Sequence, residues 1–194
     1  MNQDDTGGFG TLIEPATYRI QRRLPGPIER VWAYLTDSEL RARWLAAGEM
    51  DLRAGASVEL VWRNDDLSDS TEGRPEGFPE VVRMDCPITR VEPPHYLSFL
   101  WQGGGEVQFR LEVEGDGVLL TVTHHRLVEH GTRVMVGAGW HMHLDLLVVC
   151  LRGQPRPSFW RGWARLHEAY AQRMTAEAEA RRDAGADRLS AAAG

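Results

Sequence analysis

The segment from about residue 132 to 151 constrains the fold more than any other part of the chain. Val136, Trp140, Leu144, Leu147 and Leu151 fall within a stripe about 80° wide at roughly 100° per residue, which is helical periodicity. Met142, Leu146 and Val149 lie on the opposite side, so the helix is apolar nearly all round. A helix resting on a sheet with solvent behind it keeps a polar back. This one therefore needs cover on two sides: a sheet on one, and a further helix or a second subunit on the other. Residues 158–174, beyond Pro155 and Pro157, place Phe159, Trp163, Leu166 and Tyr170 at helical spacing and can supply that cover. The alternative is a homodimer formed through the 132–151 or 158–174 helices.

Ahead of that helix the period is two. Residues 16–24 read as a strand that stops at Pro25, Gly26 and Pro27, after which Ile28, Val31, Trp32 and Leu35 recur at helical spacing. A second short helix over 38–45 turns Leu40, Trp44 and Leu45 inward, with Thr36 or Asp37 as its cap. Val58, Leu60 and Trp62 then alternate with polar neighbours, and residues 81–91 and 96–102 continue as strands. The plainest strand is 106–114, where Val107, Phe109, Leu111 and Val113 alternate with charged or polar residues. Gly115, Asp116 and Gly117 form the turn to a return strand, 118–127, whose inward row of Val118, Leu120 and Val122 continues into His124. Residues 1–15 and 175–194 read as a flexible leader and tail around one domain, 16–174. The segment 64–79 carries five acidic residues, two Gly and two Pro. It reads as a solvated connection, with a lid as the alternative.

Composition excludes several classes. Hydrophobic residues at 42% and seven Trp exclude wholesale disorder, and a net charge of −6 argues against a nucleic-acid partner. The apolar run 144–151 is broken by Asp145 and is far shorter than the roughly 20 residues of a membrane span. Cys86 and Cys150 have no metal spacing, and the amino end holds no apolar signal stretch, so a cytoplasmic location is expected.

The order strand, two short helices, antiparallel strands, long helix is that of an α+β helix-grip fold, in which a curved antiparallel sheet wraps a long carboxy-terminal helix. The wording of the chain over about residues 16–151 resembles the START-like (SRPBCC) superfamily. The residues that carry the likeness are Arg22, Arg23, Leu24, Pro25, Val31 and Trp32, then Leu35, Thr36, Asp37 and Trp44. Val91, Glu92, Pro93 and Pro94 continue it, with Leu97, Trp101, the run Leu120, Thr121, Val122, Thr123, His124, and finally Gly139, Trp140, Leu144 and Leu147. The combination is most similar to the branch of the carboxy-terminal domain of the heat-shock-protein-90 ATPase activator. The resemblance implies a cavity between sheet and helix for a small apolar or amphipathic molecule, and in some relatives chemistry on it.

An inward polar residue at the end of an apolar row suits such a cavity, because mainly apolar walls need a few polar groups that fix orientation. His124 meets that description, His143 lies about 60° from the centre of the helix stripe, and Arg22 shares the parity of Tyr18 and Ile20. Trp62, Trp101, Trp140 and Phe109 project from inward faces and Trp44 from the second helix, as walls for a flat ligand. Core packing accounts for each of these residues as well. His141 and Asp145 have i,i+4 spacing and read as a surface pair. No metal set and no cofactor motif is apparent, and Gly103, Gly104 and Gly105 lead into a strand rather than a phosphate-binding helix. Three functions are therefore expected: binding of a small hydrophobic or aromatic-acid ligand, a cyclase or dehydratase with His124 as acid or base, and a co-chaperone or protein-interaction module.

Overall fold

The computed structural model describes residues 8–69 and 73–192. The elements are β1 (Thr11–Glu14), β2 (Thr17–Pro25), α1 (Ile28–Thr36), α2 (Ser38–Ala42), β3 (Ser57–Trp62), β4 (Val82–Glu92), β5 (Tyr96–Trp101), β6 (Gly105–Glu114), β7 (Gly117–His124), α3 (His130–Leu151) and α4 (Phe159–Ala192). The strands form one antiparallel sheet in the order β1-β2-β7-β6-β5-β4-β3. α3 lies on one face of the sheet, and α4 lies on α3. This is the α+β helix-grip architecture.

Alternation sets the sheet's two faces. In β2, Tyr18, Ile20, Arg22 and Leu24 are buried while Arg19, Gln21 and Arg23 are exposed. β7 pairs with β2 in register, Tyr18 opposite His124 and Ile20 opposite Val122, so the two inward rows run side by side. The inward row of β6 stops one residue early: Val113, expected inside, is 63% exposed beyond the edge of the core.

Two segments differ from the sequence pattern. β1 occupies part of the expected leader, where Leu12 pairs with Tyr18, and α4 continues through most of the expected tail. Residues 1–7 and 193–194 of those two segments lie outside the described residues. The acidic segment 64–79, whose residues 70–72 lie outside the described residues, is also docked on the protein at both described ends. Its 3-10 turn, Asn64–Leu67, buries Leu67, Asp65 Oδ1 accepts from Trp160 Nε1 at 2.7 Å, and Ser68 Oγ accepts from the Phe159 N–H at 2.8 Å. Asp69 pairs with Arg156 at 2.8 Å, and the Phe78 ring contacts Trp160 and Trp163 at 5.1 and 4.9 Å. The expected solvated connection is thus a clasp on the start of α4.

In α2 the deeply buried residue is Arg41, whereas Leu40 is only half-buried. The Arg41 guanidinium donates to the carbonyls of Leu35, Thr36, Ala46 and Gly48, which is how the chain turns from α1 toward β3 without orphaned acceptors. Burial pulls its pKa down to about 10, so it stays charged at neutral pH.

α3 is 22 residues long and apolar enough to cross a membrane by length and composition, but most of its apolar window is buried inside the protein. Trp140, Leu144, Leu147 and Leu151 are buried with the core, and the far side is covered within the chain by α4. Small residues allow the close approach: a Cβ at Gly162 would meet Met142 Sδ, and one at Gly137 would lie 3.2 Å from the Tyr170 ring. α4 buries Phe159, Trp160, Leu166, Tyr170 and Met174, which together contribute on the order of 10 kcal/mol. Domain stabilities are about 5–15 kcal/mol. A chain truncated after Pro157 is therefore expected to show no cooperative thermal transition and to aggregate or dimerise. A truncated monomer that melted at the temperature of the full chain would show that the back of α3 needs no cover.

Candidate functional site

The structure divides the candidate residues among three places. The first is an aromatic cluster between the sheet and α3. Trp62 from β3 contacts Trp101 from β5 at 5.5 Å, and Trp101 contacts Trp140 at 6.1 Å and His124 at 5.1 Å. Phe109 meets Trp140 edge-on at 5.7 Å. The Trp140 indole N–H donates to His124 Nδ1 at 3.2 Å, which assigns the imidazole proton to Nε2. Burial pulls the His124 pKa down to about 4, with the neighbouring His125 adding to the effect. His124 is a neutral imidazole packed among rings, on the inward face where the strand parity places it.

The second place lies beside α2. Trp44 is fully buried there and donates from Nε1 to the Tyr34 carbonyl at 2.8 Å. His143 Nδ1 donates to the Trp44 carbonyl at 2.8 Å, and its ring lies 4.9 Å from Phe159. Burial holds His143 at about 4. Both residues stand apart from the aromatic cluster because His143 projects from α3 toward α2 and α4 rather than toward the sheet.

The third place is a cleft of about 480 Å³ between α3, α4, β2 and the segment 8–10, lined by Phe9, Arg22, His141, Asp145, Val148, Val149, Arg152, Gln154, Arg165 and Leu166. Such a volume suits a small molecule. Arg22, only 3% exposed, donates from Nε and Nη2 to Asp145 Oδ1 at 3.2 and 3.1 Å. Asp145 Oδ2 faces His141 Nε2 at 3.5 Å. The expected surface pair therefore sits at the floor of a cleft, with His141 5% exposed. His141 Nδ1 accepts from the Tyr170 hydroxyl at 3.2 Å, and Tyr170 Oη accepts in turn from Tyr18 at 2.8 Å and from the Gly10 N–H at 2.9 Å. Burial, with Arg22 and Arg165 nearby, pulls His141 down to about 3. Asp145 itself is raised, because burial outweighs the Arg22 contact that favours its charge. Burial sets both directions, and the Arg22 charge acts the same way on both groups: it favours the Asp145 carboxylate and repels a proton on His141.

The cleft carries Arg22, Arg152 and Arg165 against the single carboxylate of Asp145, on a chain of net charge −6. Among the described residues Arg152 and Arg165 have no ion-pair partner, and both are exposed at the rim. Val148, Val149 and Leu166 form an apolar wall beside them. Arg22 was legible from its strand parity. Phe9, Tyr170 and Arg165 were not, since their roles depend on where α4 and the amino-terminal segment dock. Among the described residues no group of three or more His, Cys, Asp or Glu is placed to hold a metal ion. The Cys86 thiol is pushed up to about 12 by burial and is unreactive at neutral pH.

The model of the family described as Activator of Hsp90 ATPase homolog 1-like protein matches residues 25–152. The chain belongs to this family. Its fold is also similar to that of a Bordetella parapertussis protein, at 36% identity and a TM-score of 0.72, over 89% of this chain and 95% of that one. CalU16 from Micromonospora echinospora is similar at 30% identity and a TM-score of 0.61, over 88% of this chain and 98% of that one. An AHSA1-like protein from Aeromonas hydrophila, 24% identical, shares the fold at a TM-score of 0.58 over 71% and 92%. No match was found among curated proteins. Within the activator-like stretch lie His141, Asp145, Val148, Val149 and Arg152, while Phe9, Arg22, Gln154, Arg165 and Leu166 fall outside it. The cleft is thus half family framework and half flanking chain.

The three buried imidazoles give a pH dependence of known sign. Their native pKa values lie below the ordinary 6.5, so the unfolded chain binds protons that the native state refuses. Their stabilisation is complete above pH 6.5 and is lost as the pH falls toward about 4 and 3. Each contributes on the order of 3 kcal/mol. Raised Asp145 works in the opposite sense and offsets part of the loss. Urea unfolding is expected to show stability falling steeply from pH 6.5 to 4.5, with a shallower fall in His143→Gln. A flat profile would show that these imidazoles are protonated in the native state.

Proposed function

We propose that this activator-like chain binds a small amphipathic anion in the cleft between α3, α4 and β2. The observation that carries the reading is the pairing, in one cleft of about 480 Å³, of an apolar wall from Val148, Val149 and Leu166 with a cationic excess from Arg22, Arg152 and Arg165. An apolar body would lie on the wall, and its anionic group would meet the two rim guanidinium groups that lack acidic partners. Charge-assisted contacts of that kind are stronger than neutral hydrogen bonds. The START-like fold, which generally serves ligand binding or cyclase-like chemistry, supports the same class of function. His124 is taken up by Trp140 and ring contacts in the packed cluster, which favours binding over acid–base chemistry at that residue.

Fluorescence titration with 8-anilinonaphthalene-1-sulfonate, an aromatic sulfonate, tests the proposal on the folded chain. Saturable binding is expected, weakened about tenfold in the Arg152→Ala/Arg165→Ala double variant, equivalent to about 1.4 kcal/mol. Added salt should weaken it as well, because the rim is open to solvent. Equal affinity in the double variant, or no saturable binding by the parent chain, would refute the reading.

A further inference from the structure

The segment 8–10 already makes, at the deep end of the cleft, the contacts that an incoming ligand would need. The Gly8 carbonyl accepts from Arg22 Nη1 at 2.9 Å. The Phe9 ring lies edge-on to His141 at 5.1 Å and to Tyr170 at 4.9 Å, with the Arg173 guanidinium 4.5 Å above its centroid. The Gly10 N–H donates to Tyr170 Oη. Three of the five Arg22 N–H groups go to Asp145 on α3 and to the Gln21 carbonyl of its own strand, and Gly8 takes one of the two that the framework leaves open.

We propose that residues 8–10 are an intramolecular stand-in for the ligand, and that the deep end of the cleft takes an aryl alkanoate. Its carboxylate would replace the Gly8 carbonyl on Arg22, and its aromatic ring would replace Phe9 against His141 and Tyr170. This inference rests on the reading of the cleft as a ligand site. The covalent structure of the stand-in sets the ligand's length. Between the Gly8 carbonyl carbon and the Phe9 ring stand three atoms, the Phe9 N, Cα and Cβ, which is the spacing in 4-phenylbutanoate. A carboxylate is the stronger acceptor for a guanidinium than a peptide carbonyl, so a ligand of this class has the differential affinity that displacement requires.

The outer part of the segment is lightly covered, and only Gly10 is buried. Gly8 is exposed and Phe9 only half-buried, whereas Arg22, His141 and Tyr170 beneath them are buried. β1, which tethers the segment, is four residues long, with an irregular register against β2. At Gly10 a Cβ would collide with the Tyr18 hydroxyl, so glycine is required for the segment to lie this close to β2.

Calorimetric titration of the full chain with 4-phenylbutanoate tests this, with 4-phenylbutanamide as the uncharged comparator and Phe9→Ala as the variant. The parent chain should bind the carboxylate in preference to the amide. Phe9→Ala should bind it at least about fivefold more tightly, the gain expected if the segment closes the site four-fifths of the time. Hydrogen exchange at the Gly10 amide reads the same event in the unaltered chain, whatever the variant's stability: saturating 4-phenylbutanoate should accelerate it. Equal affinity in Phe9→Ala, or binding that leaves Gly10 exchange unchanged, would overturn the stand-in. If the anilinonaphthalene sulfonate binds in a manner sensitive to Arg152 and Arg165 while 4-phenylbutanoate does not bind, this inference fails and the cleft reading stands. If neither probe binds, both fail.

Discussion

Everything in this protein is arranged around a helix that cannot tolerate water on either side. α3 is apolar toward the sheet through Trp140, Leu144 and Leu147, and apolar toward its back through Met142 and Leu146. The sheet satisfies the first demand as in other helix-grip proteins. The second demand is met by α4, which approaches closely because Gly137 and Gly162 place no side chain between the helices. Once α4 is fixed, two further features follow. The acidic segment after β3 acquires a docking partner in Arg156 and Trp160, and the gap left along the α3–α4 seam becomes the cleft.

The interior also carries buried polar and charged side chains, and two sets of them differ in what they bond to. Arg41, Trp44 and His143 spend their donors on backbone carbonyls where the chain turns between α1 and β3, and their role ends with folding. Arg22, Asp145, His141, Tyr170 and Tyr18 instead form a connected set whose ends reach the cleft and the amino-terminal segment. A connected set of this kind holds its geometry because each member would be costly to leave unpaired. That rigidity is what lets an anionic ligand be recognised by position as well as by charge.

The family match covers the α3 side of the cleft and leaves its other side to the flanking chain. The matched stretch ends at residue 152, just before the turn into α4, and begins after Arg22. The aromatic cluster of Trp62, Trp101, Trp140, Phe109 and His124 lies wholly within that stretch, packed ring against ring.

The sequence by itself determined what depends on short-range periodicity. Alternation in residues 16–24, 57–63 and 106–124 defined strands and their inward faces, including Arg22 and His124. Helical spacing in 132–151 defined a helix needing two covers, and the order of elements pointed to the helix grip. Local pattern states which way a side chain points and says nothing of what it meets. Only the tertiary structure decided that His124 is packed between tryptophans, that His143 belongs to the α2 turn, and that Val113 runs past the core. It alone brought Arg22 to Asp145, 123 residues away, and Gly10 to Tyr170, 160 residues away. Those meetings are set by how α3 lies on β2 and how closely α4 can lie on α3, a matter of summed packing over many residues that no single stretch of sequence encodes.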